Sequence, residues 1–400
     1  MPRLIQVASP VSLAARKAFG ARAAAWPLVA SLRYDPAPSP DAPPRPGMRR
    51  FTPVLSGICG SDLSALSGRS PTVLWPLSSF PSVPGHEILA SPADGAEGGA
   101  AGGRVVVDPS ISCAVRGLDP CPHCARGETA LCRRAAEPGG GIARGMLIGF
   151  NRDLPGGWSD TVWAHPSQLH AVPDDLPDAV AALTEPLAVA MHALLQVSWT
   201  GSERVLVVGA GTIGLAVVAA ARMLGLPGPL VAARHRHQSQ AAAALGGHPV
   251  MADPERWPRL GGAHAVPGWL GRPLWLGGFD VVVDAAGGGR TLAEAARATR
   301  SGGTVVRVGD VGTLPSRGDS GVWIPDVRIL TPFLYGPERL PDGSRAHTFD
   351  VVLARVAPLA EPLAALVTHT FPLAEYRAAL HAATHHGRER SIKVAFHPGA

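Results

Sequence analysis

Arg204–Gly225, RVLVVGAGTIGLAVVAAARMLG, decides how the rest of this chain is read. Val205, Leu206, Val207 and Val208 have the length and composition of a strand buried on both faces. Gly209, Gly211 and Gly214 follow in G-x-G-x-x-G spacing, with Thr212 and Ile213 between the last two. An Ala/Val-rich run then predicts a helix that Gly225 can cap. Each glycine answers a physical need: a tight turn, close approach of backbone to a pyrophosphate, and close packing of helix on strand. The helix N-terminus adds free N–H groups and the positive end of a dipole. Because the motif lies between a strand and a helix, the stretch reads as a dinucleotide site, and not as a Gly-rich turn alone. A membrane span is the other reading of so apolar a run, but it is short and broken early by glycine.

Outward from this stretch, strands and helices alternate. PLVAA at 229–233, a helix at about 238–245, FDVVVDAA at 279–286, a helix near 291–299 and GTVVRVG at 303–309 predict a parallel sheet covered by helices. The C-terminal part predicts helices near 347–358 and 373–384, a strand end at Val367–His369 and a last strand Ile392–Phe396. Upstream, a helix is expected over 178–197, strands before Cys59 and at Arg104–Val107, and one helix near 12–25.

The bulk composition narrows the class. Four hundred residues, 46% hydrophobic and 17% charged, describe a globular chain of two or three domains. A net charge of +5 is small for this length, and Lys/Arg are nowhere packed densely with aromatics, which excludes a nucleic-acid surface. Lysine occurs only at Lys17 and Lys393. The N-terminus, basic through Arg22 and without an acid before Asp35, faintly resembles a transit peptide but lacks the apolar core of a secretory signal. No segment reads as a convincing membrane span, and a cytoplasmic protein is expected.

Cysteine placement carries chemistry. Cys113, Cys121, Cys124 and Cys132 lie in one lobe poor in apolar periodicity, a set that can close a tetrahedral zinc shell and supply the folding energy the lobe lacks. In so long a chain, clustered cysteines favour metal over a disulfide framework. The fifth, Cys59, joins His86 and Glu185 as residue types that ligate zinc, but spacing does not unite them; His86 reads equally as a core or surface histidine and Glu185 as a helix-surface carboxylate.

The order Cys59-Gly60-Ser61-Asp62, Gly85-His86-Glu87, a four-cysteine lobe, Glu185-Pro186 and G-x-G-x-x-G resembles the zinc-dependent medium-chain dehydrogenases, the alcohol and polyol dehydrogenase superfamily. The resemblance covers nearly the whole chain and is weakest over the first 50 residues. It implies an α/β protein: a GroES-like β-barrel catalytic domain with the zinc lobe (1–186), a Rossmann domain with a doubly wound parallel sheet (187–335), and a C-terminal return to the catalytic domain (336–400). The catalytic cleft is expected between the two domains.

The resemblance also assigns roles. Cys59, His86 and Glu185 would hold catalytic zinc, with a carboxylate at 185 as in the polyol and threonine dehydrogenase branches. Glu87 would be a nearby carboxylate able to exchange onto the metal. Asp62 would orient the His86 ring, and Ser61 would touch the substrate oxygen and pass its proton towards the cofactor ribose. The substrate would be a small alcohol, polyol or matching carbonyl, and a homo-oligomer is implied. Three departures stand out: Ser64 occupies the place of a relay histidine, CAVRGLDPC lengthens the first step of the cysteine lobe, and TPFLYG at 331–336 matches the usual glycine-containing turn only loosely. Two other readings remain, a catalytically silent zinc-containing Rossmann module and a zinc-free quinone or enoyl reductase; the intact ligand set speaks against both.

The end of the second Rossmann strand bears on the cofactor. An NAD-preferring site places Asp or Glu where this chain has Ala233. Arg234 and Arg236 follow, and guanidinium groups attract a ribose 2′-phosphate by charge and paired hydrogen bonds, so NADP is expected. The competing reading is a solvated basic loop.

Overall fold

The structure is a computed structural model and describes residues 2–7, 32–37, 43–70, 72–93, 103–268, 273–287, 289–309, 326–340 and 343–399. The helix expected near 12–25 lies outside the described residues. The chain divides into two compact units, Met1–Glu185 with Val367–Ala400, and Pro186–Leu366.

The first unit is built on a seven-stranded sheet. Its main path runs Val367–Phe371, Lys393–Phe396, Arg49–Gly57, Ile88–Pro92, Val105–Val107, Leu169–Ala171, with Val162–Ala164 also paired to Arg49–Gly57. All pairs are antiparallel except Val367–Phe371 with Lys393–Phe396. One apolar cluster joins the two ends of the unit: Leu4, Ile58, Val83 and Trp158 pack with Leu373, Ala379, Val394 and Phe396. Burying that shared face is what makes the C-terminal segment return. A second cluster includes Phe51, Ile88, Val107, Ile111, Ile148 and Val162.

The second unit carries six parallel strands in the order His248–Met251, Leu230–Ala233, Val205–Val208, Phe279–Asp284, Thr299–Arg307, Arg328–Leu330. Numbered along the sheet-forming strands this is 3-2-1-4-5-6, the doubly wound order of dinucleotide-binding sheets. Val205–Val208 lies at its centre and is buried throughout. The helix Thr212–Met223 follows, and Gly225 takes the left-handed conformation just past its end, with φ 70°. Two features were not anticipated: the edge strand His248–Met251, and a hairpin of His264–Val266 with Leu274–Leu276.

Residues 336–366 differ from the expected division. The return to the first unit begins at Val367, not at 336. Side-chain bonds explain the difference: Glu338, on the hairpin strand Pro337–Arg339, pairs with His192 of the helix Thr184–Leu195 and accepts a hydrogen bond from Thr348 at 3.0 Å.

Candidate active site

Three adjacent strands of the first unit bring one group of polar residues together. Arg49–Gly57 ends just before Cys59, Ile88–Pro92 begins just after His86 and Glu87, and these strands pair with Ser56 opposite Ile88. On the other side, Ala395 lies opposite Gly57, which places Lys393 beside the same end. Backbone bonds lock the junction: Gly57 N–H donates to Glu87 O at 3.0 Å and Ile58 N–H to Val394 O at 2.9 Å.

Cys59 caps the helix Gly60–Ser67, and Asp62 works at both of its oxygens. Oδ2 accepts the Cys59 backbone N–H at 3.0 Å, and Oδ1 lies 3.3 Å from His86 Nδ1. A carboxylate facing Nδ1 fixes the tautomer that leaves Nε2 as the lone-pair nitrogen. That Nε2 is 3.4 Å from Ser61 Oγ. Burial would lower the His86 pKa, but the Asp62 carboxylate and Cys59 thiolate outweigh it and raise it well above the ordinary value. The Phe150 ring stands 5.5 Å from the imidazole, centre to centre.

One ligand atom each from Cys59, His86 and Glu87 lie within 4.8 Å of one another. This donor set, one thiolate, one imidazole and one carboxylate, fits zinc. Glu185, given the third ligand place by the resemblance, is not in that group; Glu87, expected as a neighbour, is. Glu185 is buried on its helix, and its charge acts on Lys393.

Lys393 escapes any reading of motifs. Its Nζ contacts Glu87 Oε2 and donates to Ile58 O at 3.2 Å, and the side chain is almost wholly buried. Burial alone would lower its pKa; Glu87, Cys59 and Glu185 raise it. The pair needs Gly57, because a Cβ there would overlap both Glu87 Oε2 and Lys393 Cε. In a chain whose one other lysine is Lys17, a lysine in an apolar terminal strand was the available signal.

The cysteine lobe gathers as the residue types suggested. All four Sγ atoms lie within 4.8 Å of one another, and Cys113 and Cys132 Sγ are 3.7 Å apart. A tetrahedron with bonds of about 2.3 Å has edges of about 3.8 Å, so the spacing suits zinc, Cys113 included. Burial raises the Cys121 thiol, but N–H donors, Cys124 first, pull it down to about 6, whereas burial and neighbouring thiols push Cys124 up.

In the second unit, the glycine turn meets the demands of its spacing. Gly209 has φ 97°, a conformation L side chains rarely adopt. A Cβ on Gly214 would overlap Gly209 O, so only glycine lets the helix pack this closely. Nothing lies within 4 Å of the place a Cβ on Gly211 would take, which leaves its backbone open to a phosphate. Thr212 opens the helix, with Ile213 next. Ala233 ends its strand buried; Arg234 and Arg236 are exposed, and the rings of His235 and His237 stack 5.6 Å apart.

Comparison with known proteins agrees with this layout. The family model described as alcohol dehydrogenase GroES-like domain matches residues 53–174, and that described as zinc-binding dehydrogenase matches residues 212–346. An uncharacterized zinc-type alcohol dehydrogenase-like protein of Haemophilus influenzae is 34% identical over 174 residues, 42% of this chain and 44% of that protein. The chain thus matches under half the length of that relative. The D-altritol 5-dehydrogenase of Agrobacterium fabrum is 28% identical over 349 residues, 84% of this chain and 88% of that protein. A crystal structure of a putative zinc-binding dehydrogenase from Sinorhizobium meliloti, bound to NADP, superposes with a TM-score of 0.64 at 25% identity, over 92% of this chain and 96% of that one. The chain belongs to the medium-chain dehydrogenase/reductase family, its first unit GroES-like and its second a Rossmann domain.

Proposed function

We propose that this protein is a zinc-dependent oxidoreductase, moving hydride between an alcohol or polyol, or the matching carbonyl, and a nicotinamide cofactor, with NADP preferred over NAD. The observation that carries the reading is the convergence of Cys59, His86 and Glu87 within 4.8 Å beside Ser61 and Asp62. Relatives that are dehydrogenases of altritol and idonate favour a polyol or sugar acid as substrate.

Zinc would be held by Cys59, His86 and a carboxylate, Glu87 by proximity or Glu185 by family resemblance; bound there it supplies a Lewis acid for the substrate oxygen. Asp62 orients His86 for that task. Ser61 relays the substrate hydroxyl proton towards the cofactor ribose and water, since Ser64 offers no imidazole to continue the path. Cys113, Cys121, Cys124 and Cys132 hold a second, structural zinc in a closed shell. Gly209, Gly211, Thr212, Ile213 and Gly214 cradle the pyrophosphate, while Arg234 and Arg236 meet the 2′-phosphate.

The cofactor assignment is tested by Arg234→Asp, assayed with NADP and NAD in parallel. A carboxylate at that place repels the 2′-phosphate and binds ribose hydroxyls, so the ratio of kcat/KM for NADP over NAD falls about tenfold or more, for a loss of about 1.5–3 kcal/mol in a charged hydrogen bond. An unchanged ratio, or a wild-type protein that prefers NAD, overturns the assignment.

A further inference from the structure

The lengthened step from Cys113 to Cys121 holds an arginine that none of the proposed chemistry uses. Cys113–Arg116 forms one helical turn, capped at its start by Ser112 Oγ and closed by Gly117 with φ 62°. Arg116 is fully buried. Its Nη1 donates to Ile111 O and, at 3.4 Å, to Ser112 O; Nη2 donates to Gly145 O and, at 3.4 Å, to Ala135 O. A second guanidinium, Arg45, donates from Nη1 to Ala114 O at 3.0 Å and Val115 O at 3.1 Å, carbonyls of the same turn.

A buried cation requires compensation. Burial disfavours the charged form of Arg116, and the groups that favour it are the sulfurs of Cys132, Cys113 and Cys124, ahead of Glu137. Four thiolates around a divalent ion carry a net charge of −2, in a lobe whose own cluster is little more than the cysteines and Leu118. The requirement therefore runs both ways.

We propose that Arg116 is a positioning residue for the four-cysteine metal site: its cation offsets the thiolate charge of the loaded site, and its carbonyl bonds tie the turn bearing Cys113 to the loops around Ala135 and Gly145, while Arg45 ties the same turn to its own segment. This is how a step of C-x7-C still closes on one ion. The inference rests on the reading of the lobe as a zinc site.

The test compares zinc-loaded wild-type protein with R116Q and R116K, following release of lobe zinc to a chromophoric chelator and the thiolate-to-cobalt absorption after cobalt exchange. R116Q is expected to hold the metal about 10–100-fold more weakly, with an altered cobalt spectrum, the range seen when partners of metal ligands are removed. R116K, which keeps the charge but not the fork, falls between. A folded R116Q with wild-type retention and spectrum overturns the proposal. Should R116Q not fold, R45Q takes its place, because Arg45 lies on the outside of the same turn; wild-type retention in R45Q is equally fatal. Wild-type protein whose cysteines take up neither zinc nor cobalt defeats the zinc reading itself, an outcome distinct from any difference between variants.

Discussion

Lys393 and Gly57 show how single residues decide the candidate site. Lys393 is separated from Ile58 by 335 positions, yet the two share a hydrogen bond, and the lysine neutralises Glu87 in a place without solvent. Breaking one partner of a buried ion pair costs about 3–5 kcal/mol, because the other charge is left uncompensated. Lys393→Met is expected to lower the unfolding free energy by that measure, read as a lower urea midpoint, and to abolish turnover; a midpoint within error of wild type would show that Glu87 has no need of it. Cys59, Ser61, Asp62, His86 and Glu87 were legible because they sit in short runs whose order resembles one family. Lys393 was not, because its partner is fixed by strand pairing across nearly the whole chain, and a sequence displays no pairing between its ends.

Elements were legible where their burial is two-sided. Val205–Val208 and Phe279–Asp284 read as strands from their apolar runs, and their parallel neighbours follow from alternation with helices. His248–Met251 was missed because it is an edge strand, largely exposed, with no core face to impose a pattern. The glycine turn makes its own prediction. Gly214→Val forces side-chain atoms into Gly209 O, so the first helix must lift from its strand. Dinucleotide binding, measured by quenching of protein fluorescence, should be lost while zinc content stays; retained binding would contradict the close packing assigned to that glycine.

Acid sensitivity also arises where strands meet. Asp280, at the start of its strand, accepts from Arg300 Nε at 2.6 Å and the Arg204 N–H at 2.8 Å. Partial burial would raise its pKa, but these partners lower it below the ordinary value. A depressed carboxylate contributes stability above its unfolded pKa and loses it as pH falls through the folded one. Asp280→Asn should therefore lower Tm at pH 7, with the gap to wild type narrowing as pH drops below the usual aspartate range. A gap that is constant with pH would place the effect elsewhere.

The whole molecule is a unit interrupted by another. Its first unit is completed only by Val367–Ala400, whose Val394 and Phe396 share a cluster with Leu4 and Trp158. Family resemblance pointed to that return but placed its start at 336 instead of Val367, since the His192–Glu338 bond within the second unit joins distant segments. Among the described residues no helix is long and apolar enough to cross a membrane. Metal-assisted hydride transfer is tested most directly by one assay: nicotinamide reduction with a panel of alcohols, polyols and sugar acids, before chelation, after it, and after zinc is restored. The expected result is turnover of at least one polyol-type substrate with NADP, lost on chelation and recovered with zinc, in protein holding about two zinc per chain. Turnover that is indifferent to chelation, in protein shown to be free of metal, would contradict it.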